Sequence, residues 1–347
     1  MISHILSNLS KVEVLPYNTN WPNMFDIEAN KIKTALGDSF ACIHHVGSTS
    51  IPGLAAKPKI DIIACVKNNY HSVLPCSHPE FISGSNTNLL KILKQVQDDI
   101  ENIGYEYRGG FNLPFRKSFT YRPPDLNVNL HIFEKDDPEI ELNLLFRDYL
   151  RAHPETRDRY VTLKYKLLAD DSAQKKNGSI YRGYTLGKHD FIQDILKQSG
   201  FNRLRFAICT HYTEWEYAKN FRMHYFFGPM KIEDPYTWTF EHKDHKHFIL
   251  YKGTSIVGYA HIQLWPENRA TIRIIVIDEK HQRKGYGKEF MILIEKWLKL
   301  EGYKSVHIES SPAALKFYKR INYEEMPFND PDGYEGCSED IPMGKLL

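Results

Sequence analysis

The chain has 347 residues, with 45 Lys and Arg against 43 Asp and Glu, a formal net charge of +2 at pH 7. So small a charge gives no global field to recruit nucleic acid or an anionic membrane, and any basic site must be local. At 42% hydrophobic and 25% charged residues the composition is that of an ordinary globular protein, and roughly 150 residues per domain implies about two domains.

Five scattered cysteines, Cys42, Cys65, Cys76, Cys209 and Cys337, are odd in number and lack CxxC spacing, which points to reduced thiols and not to a disulfide framework or zinc knuckle. No apolar run approaches the ~18 residues that span a bilayer. The start "MISHILSNLSKVEVLP" has no cationic leader followed by an apolar block, so a cytoplasmic protein is expected.

The first strong element is "NWPNMFDIEANKIKTALG". Pro22 suits a first helical turn, Phe25, Ala29, Ile32 and Leu36 recur at helical spacing, and Gly37 can end the helix. "ACIHHVGSTSIPGLAAKPKIDIIACV" holds two strand-like segments around a Gly/Ser/Pro-rich turn, followed by a polar surface excursion from Lys67 to Asn88 and a helix, "LLKILKQVQDDIENIG". "LNVNLHIFE" alternates like a strand, and "EIELNLLFRDYLRAHPETRDRYVTLKYKLLAD" is one long, charged, helically periodic stretch. "DDSAQKKNGSIYRG" reads as a loop before a last helix, "HDFIQDILKQSG". The pattern then restarts with short strands, which places a domain boundary near 199 to 203 and gives domains 1–200 and 201–347.

In the second half, "KHFILYKGTSIVGYAHIQLW" reads as a hairpin about a Lys-Gly-Thr-Ser turn, and "ATIRIIVID" as a strand buried on both faces. "HQRKGYGKEF" follows at once. From Gly285 onward Phe290, Ile294 and Trp297 keep helical spacing to Gly302, so its glycines lie where a loop becomes a helix N-terminus. Unpaired N–H groups and the positive end of the helix dipole suit a phosphate or pyrophosphate there. A Walker loop is excluded because Gly287-Lys288 is followed by Glu289, and a dinucleotide loop would need a third glycine.

Gln282-Arg283-Lys284-Gly285-Tyr286-Gly287 resembles the Q/R-x-x-G-x-G/A signature of the GNAT superfamily, acyl-CoA-dependent N-acyltransferases whose loop grips the CoA pyrophosphate. The order of elements agrees: hairpin, strand, signature helix, strand "SVHIE", short helix "PAALKFYKRINY", final strand "DIPMGKLL". The resemblance covers about residues 203 to 347. It implies acetyl-CoA as cofactor and a small-molecule or peptide amine as acceptor. It also implies backbone bonds from Val276, Ile277 and Asp278 to the pantetheine arm, phosphate contacts from Arg283, Lys284 and Lys288 beside Tyr286, and Tyr318 as the acid that protonates the departing thiolate. Against that role stands the reading of Tyr318 as a core aromatic beside Phe317 and Ile321. Many relatives carry a glutamate base on the fourth strand, but here that stretch is Thr271-Ile272-Arg273. Glu309 and Glu241 are the candidate substitutes.

In the first half, "HHVGSTSIPGLAAKPKIDI", "NLHIFE" and "LLFRDYLRAHPETRDRYVTLK" resemble the GrpB family over about residues 5 to 198. That family is assigned to the nucleotidyltransferase superfamily, in whose active members a Gly-Ser turn holds a triphosphate and two carboxylates at i and i+2 clamp magnesium. Gly47, Ser48 and Asp61 match, but the partner position is Ile63. The metal pair is incomplete unless Glu134 or Asp136 joins from elsewhere. His45, Lys57, Lys59, Arg116, His131 and Arg147 are further candidates for a phosphate cleft, against a reading as buried hydrogen bonds and helix-face ion pairs.

"EHKDHKH" brings His242, His245 and His247 together without an acidic or cysteine partner at ligand spacing, so a solvated turn is expected and no metal site. The expected architecture is α/β (α+β): a nucleotidyltransferase-like mixed sheet with helices, then a GNAT fold. The expected activity is acetyl transfer to a primary amine. The first domain would be a nucleotide- or phosphate-binding module or, alternatively, a nucleotidyl transfer enzyme.

Overall fold

A computed structural model of the chain describes residues 14–67, 86–170, 182–333 and 338–347. They form two compact units, one holding residues up to Phe111 and Phe115–Asn202, the other Asn112–Pro114 and Arg203–Leu347. Among the described residues no helix is long and apolar enough to cross a membrane.

The first unit opens with α1 (Trp21–Leu36), with Pro22 in its first turn and Gly37 at φ +46° closing it. Strands β1 (Phe40–Val46) and β2 (Ile60–Val66) flank the Gly-Ser turn. Helix α2 (Asn86–Asn102) is followed by β3 (Glu106–Gly109), β4 (Lys117–Tyr121) and β5 (Val128–Glu134). The sheet order is β1-β2-β5-β4-β3, parallel only between β2 and β5. Ile60, Ile62, Ala64 and Val66 join a core with Trp21, Ile32 and Leu36 of α1 and Val96 and Ile100 of α2. Because side chains alternate along a strand, Asp61, Ile63 and Cys65 face the opposite side. The excursion expected from Lys67 to Asn88 and the loop from Asp170 to Gly183 fall largely outside the described residues.

The long periodic stretch is not one helix. It breaks into α3 (Pro138–Ala152) and α4 (Pro154–Ala169), because Pro154 pushes His153 out of the helical region, to φ −125° and ψ 84°. Ile51 and Leu54 pack there against Leu150 of α3 and Tyr160 of α4. Short α5 (Arg182–Leu186) and α6 (His189–Gln198) complete the unit.

The expectation of reduced thiols fails for one pair. The antiparallel register of β1 and β2 sets Cys42 opposite Cys65, and they form a disulfide with Cα atoms 4.8 Å apart. Separated by 23 residues, they are neighbours only through that register. Cys209 is a free, buried thiol.

The second unit runs β6 (Leu204–Ile208), α7 (Tyr212–Arg222), β7 (His245–Lys252), β8 (Ser255–Trp265), β9 (Arg269–Ile277), α8 (Tyr286–Leu300), β10 (Ser305–Ser310), α9 (Leu315–Arg320), β11 (Glu324–Glu325) and β12 (Ile341–Leu346). The sheet order is β11-β12-β10-β9-β8-β7-β6, antiparallel except between β9 and β10. Phe290 and Trp297 of α8 pack on Phe206 and Phe248. Helix α7, which hydrophobic periodicity does not announce, carries a capping box of His211 and Glu214.

Candidate functional site

In the second unit the only parallel pairing of the sheet is short. Residues Arg269–Thr271 pair with Ser305–His307, and there the pairing stops. Beyond that point β9 stays with β8 as far as Ile277, while β10 stays with β12 as far as Ser310. The two central strands therefore part, leaving a wedge in which, among the described residues, backbone groups of β9 have no strand partner on the β10 side. Val276 and Ile277 are the last residues of β9, and the Asp278 side chain caps the following turn by accepting from the Lys280 amide at 2.9 Å.

The loop leads from that wedge into α8. The Gln282 amide donates to Ile277 O at 2.9 Å, and the Lys284 ammonium to Lys280 O at 2.9 Å. Arg283 and Gly285 both take positive φ, +61° and +83°, which turns the backbone so that α8 begins at Tyr286 with its first amides unpaired by the helix. A Cβ at Gly285 would meet nothing within 4 Å, so glycine is required by its left-handed backbone and not by crowding. At Gly287 a Cβ would touch Phe317 at 3.6 Å and Ile277 at 3.9 Å. Arg283, Lys284 and Lys288 are exposed at this positive helix end, an arrangement that accepts a phosphate anion.

Tyr318 lies in α9, buried, with its ring 5.1 Å from Phe317 and 5.7 Å from Tyr323. Burial pushes its phenol well above the usual range, so it stays protonated at neutral pH and can act as an acid. Glu309 shares a face of β10 with His307, which stacks on Trp265. Burial and then the neighbouring Asp340 and Asp330 raise its carboxyl, against the opposing pull of Arg273. Arg273, in the β9 stretch that lacks a carboxylate, is tied to Asp330 at 2.5 Å and to Gln263 at 2.7 Å. Glu241 is exposed.

The expected solvated histidine turn is corrected: His245 and His247 are buried on β7. His245 shares a 2.8 Å hydrogen bond with His261, whose other nitrogen faces the Arg222 guanidinium at 3.3 Å, and Arg222 pairs with Asp234 at 2.6 Å. His247 bonds the Tyr259 hydroxyl at 2.7 Å. Burial, then neighbouring cations, hold His245 down to about 4, and burial is also the main reason His247 is held down to about 3. Both are neutral at pH 7. This network was not legible beforehand, because its members come from β7, β8 and α7.

In the first unit, Gly47 stands at φ +68° against Asp61, and Asn129 donates to Asp61 at 2.8 Å. Ile63 does share the Asp61 face, opposite His131. Glu134 does not complete a metal pair: it lies opposite Val66, on the other face and at the other end of β2. His45 also leaves the group. It faces the core, stacked on Phe25 and bonded to Thr49 at 3.0 Å. Arg147 is engaged by Asp148 at 2.7 Å and by His45 O at 3.0 Å, and Arg116 donates to Gly110 O at 3.1 Å.

Around Asp61 the fold gathers cations instead. Lys59 and Lys188, then Arg122, act on its charge. Lys57 and Lys188 lie 4.2 and 4.6 Å from the centroid of the Tyr184 ring. Lys164 of α4 donates to Ser48 Oγ at 3.1 Å and Ala55 O at 2.6 Å. Burial is the main cause that lowers Lys57 and Lys188 to about 8 and Lys164 to about 7; repulsion among the lysines follows. His131, bonded to Ser118 at 3.1 Å, is held down to about 3 by burial and then by Arg116 and Lys59. Lys57 and Lys59 adjoin the turn in sequence. Lys164 and Lys188 give no local signal, since α4 and the α5–α6 corner deliver them.

The GrpB protein family matches residues 11–77 and 86–198, and the Acetyltransferase (GNAT) family matches residues 194–323. A UPF0157 protein of Halalkalibacterium halodurans is 33% identical over 191 residues, 55% of this chain and 83% of that protein. The crystal structure of GrpB from Enterococcus faecalis is 30% identical, covering 54% of this chain and 96% of that one, with a TM-score of 0.42. An acetyltransferase of the GNAT family from Staphylococcus aureus is 13% identical, covering 42% of this chain and 99% of that one, with a TM-score of 0.36. The chain thus belongs to the GrpB family, whose match spans over half of its length, and carries a C-terminal GNAT-family acetyltransferase domain.

Proposed function

We propose that the second unit transfers an acetyl group from acetyl-CoA to a primary amine of a small molecule or peptide. The observation that carries this reading is the junction of parted β9 and β10 with the N-terminus of α8. The wedge offers β9 backbone groups to the pantetheine amides, and the amides of Tyr286, Gly287 and Lys288, with Arg283 and Lys284, take the pyrophosphate. Acetyl-CoA supplies the activated thioester. Glu309, its carboxyl already raised, takes a proton from the incoming ammonium through water, which frees the amine lone pair for the carbonyl carbon. Tyr318 gives its proton to the sulfur as the carbon–sulfur bond breaks, and the second proton that the nitrogen sheds on becoming an amide neutralises the Tyr318 phenolate left behind.

A two-metal nucleotidyl transfer in the first unit is disfavoured, because among the described residues Asp61 is partnered by Asn129 and lysines and not by a second carboxylate. Incubating the full chain with acetyl-CoA and a panel of primary amines, with thiol release as readout, tests the main reading. Tyr318→Phe should lower turnover by about 10²–10⁴-fold with acetyl-CoA affinity retained. Failure to bind acetyl-CoA would remove the proposal, and unchanged turnover in Tyr318→Phe would remove Tyr318 as the acid.

A further inference from the structure

A disulfide needs two cysteines, and the β1–β2 pair sets a third metal-binding side chain beside them. Cys42 and His44 stand two residues apart on β1, so both side chains leave one face of the strand. The register places Cys65 opposite Cys42 and Ile63 opposite His44, and Cys65 therefore shares that face. It is the face away from α1, because Ile43 packs into the α1 core and His45 stacks on Phe25. The sulfurs of Cys42 and Cys65 and a ring nitrogen of His44 all lie within 4.8 Å of one another. Among the described residues this is the one group of three His, Cys, Asp or Glu side chains so gathered.

The donors and their spacing suit one class of ion. Two thiolates and an imidazole are ligands that zinc(II) prefers over oxygen-loving cations. Zinc bonds of about 2.3 Å to sulfur and about 2.0–2.1 Å to nitrogen put tetrahedral ligand atoms roughly 3.5–3.8 Å apart. Sulfurs released from an S–S bond must separate to a nonbonded distance of that order, which side-chain rotation can supply. Cys42 and His44 are half-buried on an edge strand, which gives an ion and a fourth, water ligand a way in. Cys65 lies beneath, and the buried Ile63 and Phe133, the latter opposite Cys65 on β5, form an apolar wall. Two thiolates and a divalent cation sum to zero, so the filled site buries no net charge.

We propose that Cys42, Cys65 and His44 form a zinc site that is opened by reduction of the disulfide. A dithiol reductant gives two electrons and two protons to the Cys42–Cys65 bond, leaves as its own disulfide, and the chain gains two thiols. Zinc(II) then binds both sulfurs and the His44 nitrogen, and the two thiol protons go to solvent. The ion ties β1 to β2 in a reducing medium as the disulfide does in an oxidising one. The site is independent of the acyl-transfer reading, since all its residues belong to the first unit.

The test is a zinc titration of the full chain in competition with a chromophoric chelator. It is done after reduction by a phosphine and desalting without air, and again on the oxidised protein. The reduced wild type should take up one zinc per chain and melt at a higher temperature with zinc than without it. Cobalt(II) in place of zinc should show thiolate-to-metal charge-transfer absorption. The oxidised protein should not bind. His44→Ala and His44→Leu should each weaken binding at least about tenfold, since even groups that only support a metal ligand contribute that much. Cys209→Ser should leave it unchanged. No zinc in the reduced wild type, equal affinity in both redox states, or binding indifferent to both His44 variants would overturn the site. So would a cobalt spectrum without thiolate absorption, or binding lost with Cys209. Circular dichroism follows the fold throughout, and a reduced wild type without its sheet would also overturn the site, because the β1–β2 register is what gathers the ligands.

Discussion

A Cβ on Gly47 would lie 2.5 Å from Oδ2 of Asp61, so the turn after β1 closes over the second residue of β2 only because a hydrogen stands there. The backbone of Gly47 is also left-handed, at φ +68°. Both effects oppose any side chain. Gly47→Ala should cost about 1–3 kcal/mol from the backbone alone, with a further packing cost of similar size unless the Asp61 carboxylate swings away. Urea unfolding of Gly47→Ala beside Gly109→Ala tests this, since Gly109 has φ +81° but open space around its Cβ. Equal losses in the two would mean that Asp61 is not a barrier.

Lys164 is buried, with its ammonium on Ser48 and Ala55, and burial followed by repulsion from Lys188 holds it down to about 7. In the unfolded chain it titrates near its ordinary 10.5. Between those values the unfolded chain binds the extra proton, so stability rises with pH across that window and is flat below it. The contribution is at most about 1.4 kcal/mol per pH unit. Lys57 and Lys188 add slopes of the same sign, starting near 8. Lys164→Met should therefore show a shallower rise in unfolding free energy between pH 7 and 10 than the wild type. An unchanged slope would place the Lys164 proton in both states alike.

At Gly285 the structural demand is the left-handed backbone alone, as nothing lies within 4 Å of a Cβ there. Gly285→Ala should cost about 1 kcal/mol of stability. Its effect on acetyl-CoA binding should be small beside that of Gly285→Asp, which sets a carboxylate at the phosphate end of α8. Titration of both variants with acetyl-CoA decides this. Equal affinity in Gly285→Asp and the wild type would take the loop out of the cofactor site.

The Cys42–Cys65 bond closes a separation of 23 residues across the β1–β2 pair. A loop of that size stabilises by about 3 kcal/mol through the unfolded state. Adding a reductant should lower the melting temperature of the wild type and leave Cys42→Ser with Cys65→Ser unchanged. Equal response in both would show that the bond contributes nothing.

Residue order alone was enough for the α8 loop and for the order of elements around it. A strand, two glycines, three cations and the start of a helix lie within about twenty positions, and their consequences are local: unpaired helix amides and a left-handed glycine. The Gly-Ser turn, Asp61 and the telling Ile63 were legible for the same reason, because strand alternation assigns residues 61 and 63 to one face without knowledge of any partner. What tertiary structure decided is non-local. Cys42 meets Cys65 only through the β1–β2 register, and the histidines of β7 become a buried network only when β8 and α7 cover them. The division of the long helical stretch at His153 was, by contrast, written locally in Pro154 and was missed. Lys164 and Lys188 carry no marking as site residues in their own segments. Only the packing of α4 and the α5–α6 corner beside β2 brings their charges to Ser48 and Asp61, since a charge cluster depends on distance in space and not on distance along the chain.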